Sequence, residues 1–184
     1  MPAYPADVVT FWREAGARRW FKTSQAFDDA IRLKFEPSHH AAARRQYDAW
    51  IETAEGALAL LILLDQFPRN LYRGSAHSYA TDPLARHFAR EALARGHDRV
   101  AEPLLRIFFH LPFTHSEDLA DQDRSVALNE AMQRQTGDGE NLKWAILHRE
   151  IIVRFGRFPH RNDALGRVTT PQEQAFLDEG GFAG

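Results

Sequence analysis

The chain contains no cysteine. That absence excludes disulfides, thiolate metal sites and a thiol nucleophile together. Lysine is scarce as well: only Lys22, Lys34 and Lys143 occur, so arginine carries nearly all the positive charge. No excess of either sign compensates, because 23 basic residues face 25 acidic ones for a net charge of -2. A balance of that kind argues against a nucleic-acid partner on charge grounds. The greasiest run, ALALLILL at 57–64, falls far short of the ~20 apolar residues of a membrane span and ends at Asp65. The opening MPAYPADVVTFWREAG lacks a basic start, an apolar stretch and a small-residue cleavage site, so the expectation is a cytoplasmic protein with no membrane partner. Nucleophile-elbow, phosphate-loop and dinucleotide fingerprints are missing too, and no cofactor is implied.

What is present is an ordinary globular composition, 44% hydrophobic and 26% charged over 184 residues, enough for one well-buried core. No alternating Val/Ile/Thr run suggests a strand, whereas helix start and stop signals recur throughout. Together with the lack of any linker they predict a single all-α domain over 1–184, with about eight helices in antiparallel pairs.

The expected helices are as follows. The first spans about Pro5 to Ala15 and buries Val8, Phe11 and Trp12. Ser24 caps a second with Phe27, Ile31 and Phe35 inward. Pro37 opens a third, which carries Tyr47, Trp50 and Ile51 and leaves His39 and His40 in a solvated loop. Thr53 caps the ALALLILL helix, which is apolar all round and therefore central. Asp82-Pro83 launches the next, and a short helix follows near Pro103 to Phe109. Thr114 to Glu117 reads as a capping box before a long helix with Leu119, Val126 and Met132. Asn141 to Phe155 forms a second greasy helix with Trp144, Leu147, Ile151, Ile152 and Phe155 inward, and Gly156 ends it. Thr170 and Glu173 form another capping box, and the tail GGFAG is loose.

Chemistry concentrates in three stretches. LLDQFPRNLYRG places Asp65 at the end of the central helix, where the macrodipole disfavours a carboxylate and a cation such as Arg69 or Arg73 is needed. RFGRFPHRNDALGR, at 154–167, echoes the Phe-Pro-Arg-Asn order and adds Arg154, Arg157, His160, Arg161, Asn162 and Arg167. Glu150 and Arg154 have salt-bridge spacing. These arginines outnumber the acids near them in sequence, which points to an anionic ligand held bidentately. HLPFTHSEDLADQ offers His110, His115 and Glu117 as metal ligands, with Asp118, Asp121 or His148 as a fourth, but its spacing matches no metal motif. His115 oriented by Glu117 is equally an acid–base candidate.

Across nearly its whole length the chain resembles a family of bacterial and some eukaryotic proteins that carries no assigned activity. The resemblance rests on the FW and WF pairs near the N-terminus, LLDQFPRNLYRG, Asp82, P-x-x-H-S-E-D-x-x-x-Q, H-x-x-I-I-x-R-F-G-R-F-P-H-R-N-x-x-L-G-R and the closing TPQEQAFL. It implies a tetratricopeptide-like α/α architecture, although the strict 34-residue repeat consensus is missing.

Two functions follow. In the first, Asp65, Arg69, Asn70, Arg73, His148, Arg154, Arg157, Arg161 and Asn162 line a site for a small anionic ligand, with His115, Glu117 and His160 as the catalytic candidates. Whether the ligand is turned over is left open. In the second, helix pairs form a scaffold for a peptide or protein partner and the polar motifs are internal ties.

Overall fold

The computed structural model describes residues 3–182, and all regular structure among them is helical. There are more helical segments than the eight or so expected, because short turns such as Ala17–Trp20 and His97–Val100 form helices of their own. The chain divides into two compact units, Met1–Arg73 with His77–Pro112, and Gly74–Ala76 with Phe113–Gly184.

The first unit begins with α1 (Pro5–Ala15), as its apolar spacing predicts, with Val8, Val9 and Trp12 buried. After the turn α2 (Ala17–Trp20), the Trp20 indole N–H donates to the Trp12 carbonyl at 2.7 Å. Trp12 packs against Trp20, Phe27, Phe67 and Phe108 with ring centroids 5.6–6.0 Å apart, making it the centre of an aromatic core. Ser24 caps α3 (Gln25–Ala43) through the Phe27 N–H, as expected.

Pro37 does not open a new helix; it lies inside α3. Proline strips a donor from the carbonyl four residues earlier, and that residue, Leu33, is 85% exposed, so the loss falls on the solvent side of the helix rather than in the core. Consequently His39 and His40 are helical, and His39 is buried rather than solvated. Tyr47 and Trp50 stack at 4.2 Å around a 3₁₀ turn at Asp48–Glu52.

Thr53 caps α4 (Ala54–Leu61) as predicted, and Gly56 to Leu61 are all buried. The helix does not stop at Asp65. It widens into a π turn over Ile62–Gln66, in which the Phe67 N–H reaches the Ile62 carbonyl, and resumes as α5 (Phe67–Leu71). The cause is Pro68, which has no N–H to offer the carbonyls of Leu63 and Leu64. Side chains supply the donors: His39 Nδ1 reaches the Leu63 carbonyl at 2.8 Å and the Thr81 hydroxyl reaches that of Leu64 at 2.5 Å. The unit continues through α6 (Asp82–Ala94), whose N-cap position is Thr81 rather than Asp82, and α7 (His97–Val100). A 3₁₀ turn at Arg106–Phe109 then takes the place of the short helix expected near Pro103, and α8 (Leu111–Thr114) follows.

In the second unit α9 (Leu119–Thr136) pairs with α10 (Glu140–Phe155). The buried face of α9 is polar, with Gln122, Ser125 and Asn129 joining Met132, whereas Leu119 is 44% exposed. The polar face serves the preceding loop: Gln122 Nε2 donates to the carbonyls of Thr114 and Ser116 at 2.8 and 2.6 Å, and Ser125 meets the Thr114 hydroxyl at 2.6 Å. The capping box expected at Thr114–Glu117 is not the one used. Asp118 caps α9 through the N–H groups of Ala120 and Asp121, which releases Glu117 for other work. Trp144 also departs from expectation, lying 47% exposed while Ala145, His148, Ile151 and Ile152 turn inward. Gly156 ends α10 in the left-handed conformation with φ 69°. A 3₁₀ turn at Pro159–Arg161 leads toward α11 (Pro171–Asp178), where the predicted Thr170–Glu173 capping box forms. The tail is not loose as far as Phe182, whose ring lies 4.5 Å from that of His148 and 5.1 Å from that of His160. Residues 183 and 184 of the GGFAG stretch lie outside the described residues.

Candidate functional site

The FPRN stretch sits in the first unit, and each of its polar side chains reaches a carboxylate there. Arg69 grips Asp82 with two bonds of 3.0 Å and contacts Asp65 at 3.3 Å. Asn70 donates to Asp28 at 2.7 Å, and Arg73 holds the same carboxylate at 2.7 and 3.1 Å. The Asp65–Arg69 clamp therefore forms as expected, while Asp82 and Asp28 enter from α6 and α3. Burial works against the charge of Arg69, but Asp82 and Asp65 outweigh it, and its pKa is raised above the ordinary arginine value.

The FPHRN stretch is built on the same local plan in the second unit. Phe158 and Pro159 are buried and start a helical turn, as Phe67 and Pro68 do in the first, and the polar residues then reach outward to acids. Arg157 holds Glu173 at 2.6 and 2.8 Å and also donates to the Val168 carbonyl. Asn162, fully buried, donates to the Thr169 hydroxyl and to Glu173, both at 3.3 Å. Glu173 thus completes its capping box through the Thr170 N–H while anchoring the loop. The Arg157 hydrogen bonds are the main reason that its pKa falls to about 2, against the opposing effect of burial.

Glu117, freed from capping duty, is taken up by Arg167 at 2.8 and 3.0 Å and by the Phe158 N–H at 2.8 Å. Burial disfavours its charged form, yet these bonds and the charges of Arg167 and Arg161 hold its pKa below the usual carboxylate value. Glu117 is therefore ionised at neutral pH with both oxygens engaged, a poor starting point for acid–base work. His115 occupies the half-buried turn after α8. His148 is buried on α10 and donates from Nδ1 to the Trp144 carbonyl at 2.8 Å, and His160 lies half-buried against Phe158 and Phe182. Arg161 is buried with its guanidinium 4.5 Å over the Phe158 ring. Among the described residues no group of three or more His, Asp or Glu side chains could hold a metal ion.

Arg154 differs from the other motif arginines. The expected pairing with Glu150 does not form; both side chains are exposed. The Arg154 guanidinium lies instead 4.7 and 5.6 Å over the rings of Phe155 and Phe176, and no carboxylate lies within ion-pair distance of it among the described residues. It borders an open cleft of about 550 Å³ lined by Arg154, Phe155, Arg157, Thr170, Gln172 and Glu173. Sequence reasoning missed Thr170 and Gln172 as lining residues because their signals there are those of a helix start.

The chain belongs to a bacterial family of proteins of unknown function, DUF924, whose model matches residues 8–181. It is similar to the solved structure of a protein of unknown function, ATU0120, from Agrobacterium tumefaciens, with 53% sequence identity and a TM-score of 0.91 over 96% of this chain and 97% of that one. No curated protein matches. As for membranes, no helix among the described residues is long and apolar enough to cross one.

Proposed function

We propose that the protein binds a small anion, a phosphate or carboxylate, in the cleft between the end of α10 and the start of α11. The observation that carries this reading is Arg154. Arg69, Arg73, Arg157 and Arg167 each hold a carboxylate bidentately and have little left for a ligand. Arg161 is buried, whereas Arg154 presents an exposed guanidinium over two aromatic rings at the rim of a cleft, with no carboxylate within ion-pair distance among the described residues. The Thr170 and Gln172 side chains add hydrogen-bonding capacity beside it. The reading is binding rather than turnover, since both Glu117 oxygens are taken up by Arg167 and the Phe158 N–H and His160 is packed between rings.

A thermal-shift titration with inorganic phosphate, citrate and adenosine triphosphate tests the reading. Saturation at 100 times the dissociation constant stabilises by ~2.7 kcal/mol. Wild type is expected to show that rise with at least one anion, and Arg154→Gln, which removes an exposed charge, to keep its own melting temperature but lose the shift. No shift with any anion, or an equal shift in the variant, overturns the assignment.

A second reading, an interaction scaffold, is favoured by the outer side of α10, which exposes Ile146 at 40% and Val153 at 58%. The tetratricopeptide-like stacking of helix pairs implied by the family resemblance, and the cytoplasmic setting expected from the N-terminal sequence, belong to the same reading. Sedimentation of wild type and Val153→Glu across protein concentrations tests for self-association through this face, and a monomer at every concentration in both overturns it.

A further inference from the structure

The first unit has a groove of about 510 Å³ between α1 and α3, and its make-up differs from that of the anion cleft. The floor is apolar. Phe11 and Phe27 stack face to face at 5.6 Å with 3° between their planes, and Ala26 and Ala30, one helical turn apart on α3, leave the floor open beside them. Above the half-buried Phe11 ring the Lys34 ammonium sits 5.1 Å from the centroid.

The rim is cationic. Arg19 and Lys34 have no carboxylate within ion-pair distance among the described residues, in contrast to Arg13, Arg32 and Arg45, each of which is paired. Exposed Arg18 and Lys22 flank Arg19 in sequence, so two of the three lysines of the chain fall in this short region. Glu14 is the single acid among the lining residues.

An aromatic floor under unpaired cations is complementary to an apolar side chain flanked by acids. We infer that this groove docks an acidic peptide segment of a partner protein, with one leucine or phenylalanine seated over Ala26 and Ala30 against the accessible part of Phe11, beneath which buried Phe27 closes the floor, and neighbouring carboxylates paired with Arg19 and Lys34. The apolar anchor releases water from the floor, and the acids replace the weak cation–ring contact of Lys34 with an ion pair. A nucleic acid fits less well, because the cationic stretch is short and the floor suits an apolar side chain.

The test is fluorescence anisotropy of the whole protein with a labelled twelve-residue peptide of glutamates interrupted by phenylalanine and leucine. Saturable binding is expected, weakening with salt and at least roughly tenfold weaker in Arg19→Glu/Lys34→Glu, since rim charges set steering and pairing. Both positions are exposed, and circular dichroism of the variant is the check that it folds. Ala30→Leu, which fills the floor without changing charge, weakens binding independently. Arg154→Gln binds the peptide as wild type does, which separates this groove from the anion cleft. The inference is overturned if the peptide does not bind, if the charge-reversed variant binds equally, or if a lysine-for-glutamate peptide, a plain polyglutamate or a single-stranded oligonucleotide binds as tightly.

Discussion

The Thr81 hydroxyl donates to the carbonyl of Leu64, the carbonyl that Pro68, four residues later, leaves without a backbone donor. A proline placed inside the central helix thus creates a need that a residue at the start of α6 meets. Replacing Thr81 by valine keeps the shape and removes the donor, stranding a buried acceptor. The expected cost is about 1–3 kcal/mol, readable as a lower urea midpoint with an unchanged slope; an unchanged midpoint would show that another group satisfies Leu64.

Arg69 neutralises Asp65 and Asp82, which are 1% and 5% exposed. Arg69→Ala leaves two buried carboxylates without that partner and is expected to destabilise by about 3–5 kcal/mol. Chemical denaturation of the variant against wild type checks it. A loss under ~1 kcal/mol, the scale of surface pairs, would mean that water reaches the pair.

Glu173 gives the second unit an acid-range signature. Its folded pKa, about 2, lies below the unfolded carboxylate value of ~4.3. The stability it contributes is therefore complete above pH ~4.3 and disappears as the pH falls through about 2. Melting temperatures of wild type should drop across that window, and those of Glu173→Gln should start lower and vary less. Parallel curves for the two proteins would rule Glu173 out as the source.

His39 titrates in a different range. Burial lowers its pKa, the neighbouring His40 and His77 lower it further, and the Leu63 hydrogen bond and Glu36 act the other way without reversing the result. With a folded pKa below the unfolded ~6.5, its contribution is complete above pH ~6.5 and is lost as the pH falls below that value. Urea midpoints of wild type at pH 7.5 and 5.5 should differ by more than those of His39→Gln, whose amide can still donate to the Leu63 carbonyl.

Arg157→Ala separates tie from ligand site within the second motif. Because Arg157 clasps Glu173 and the Val168 carbonyl, the variant is expected to melt below wild type, and Arg157→Lys to recover only part of the loss, since a single ammonium cannot span both carboxylate oxygens. An unchanged melting temperature would return Arg157 to the list of free ligand-binding cations.

Much of the helical pattern was legible in the sequence: α1, the Ser24 and Thr53 caps, the Thr170–Glu173 box and the Gly156 stop all depend on neighbours within a few residues. The polar face of α9 was not, because Gln122, Ser125 and Asn129 are buried to serve loop carbonyls that hydrophobic periodicity does not register. Nor was the continuity of α3 through Pro37, which depends on Leu33 facing solvent.

The candidate site divides along the same line. By itself the sequence determined which residues carry the chemistry, since arginine, asparagine and histidine are gathered into two Phe-Pro stretches by local order alone. Only the tertiary structure decided what they hold. Apart from Asp65, their acids lie farther along the chain, Asp28 forty-five residues from Arg73 and Glu117 fifty from Arg167, so a count of nearby charges found an excess that folding largely cancels. Arg154 stands apart for the same reason in reverse: its expected partner was one helical turn away, and packing against Phe155 and Phe176 drew the guanidinium elsewhere.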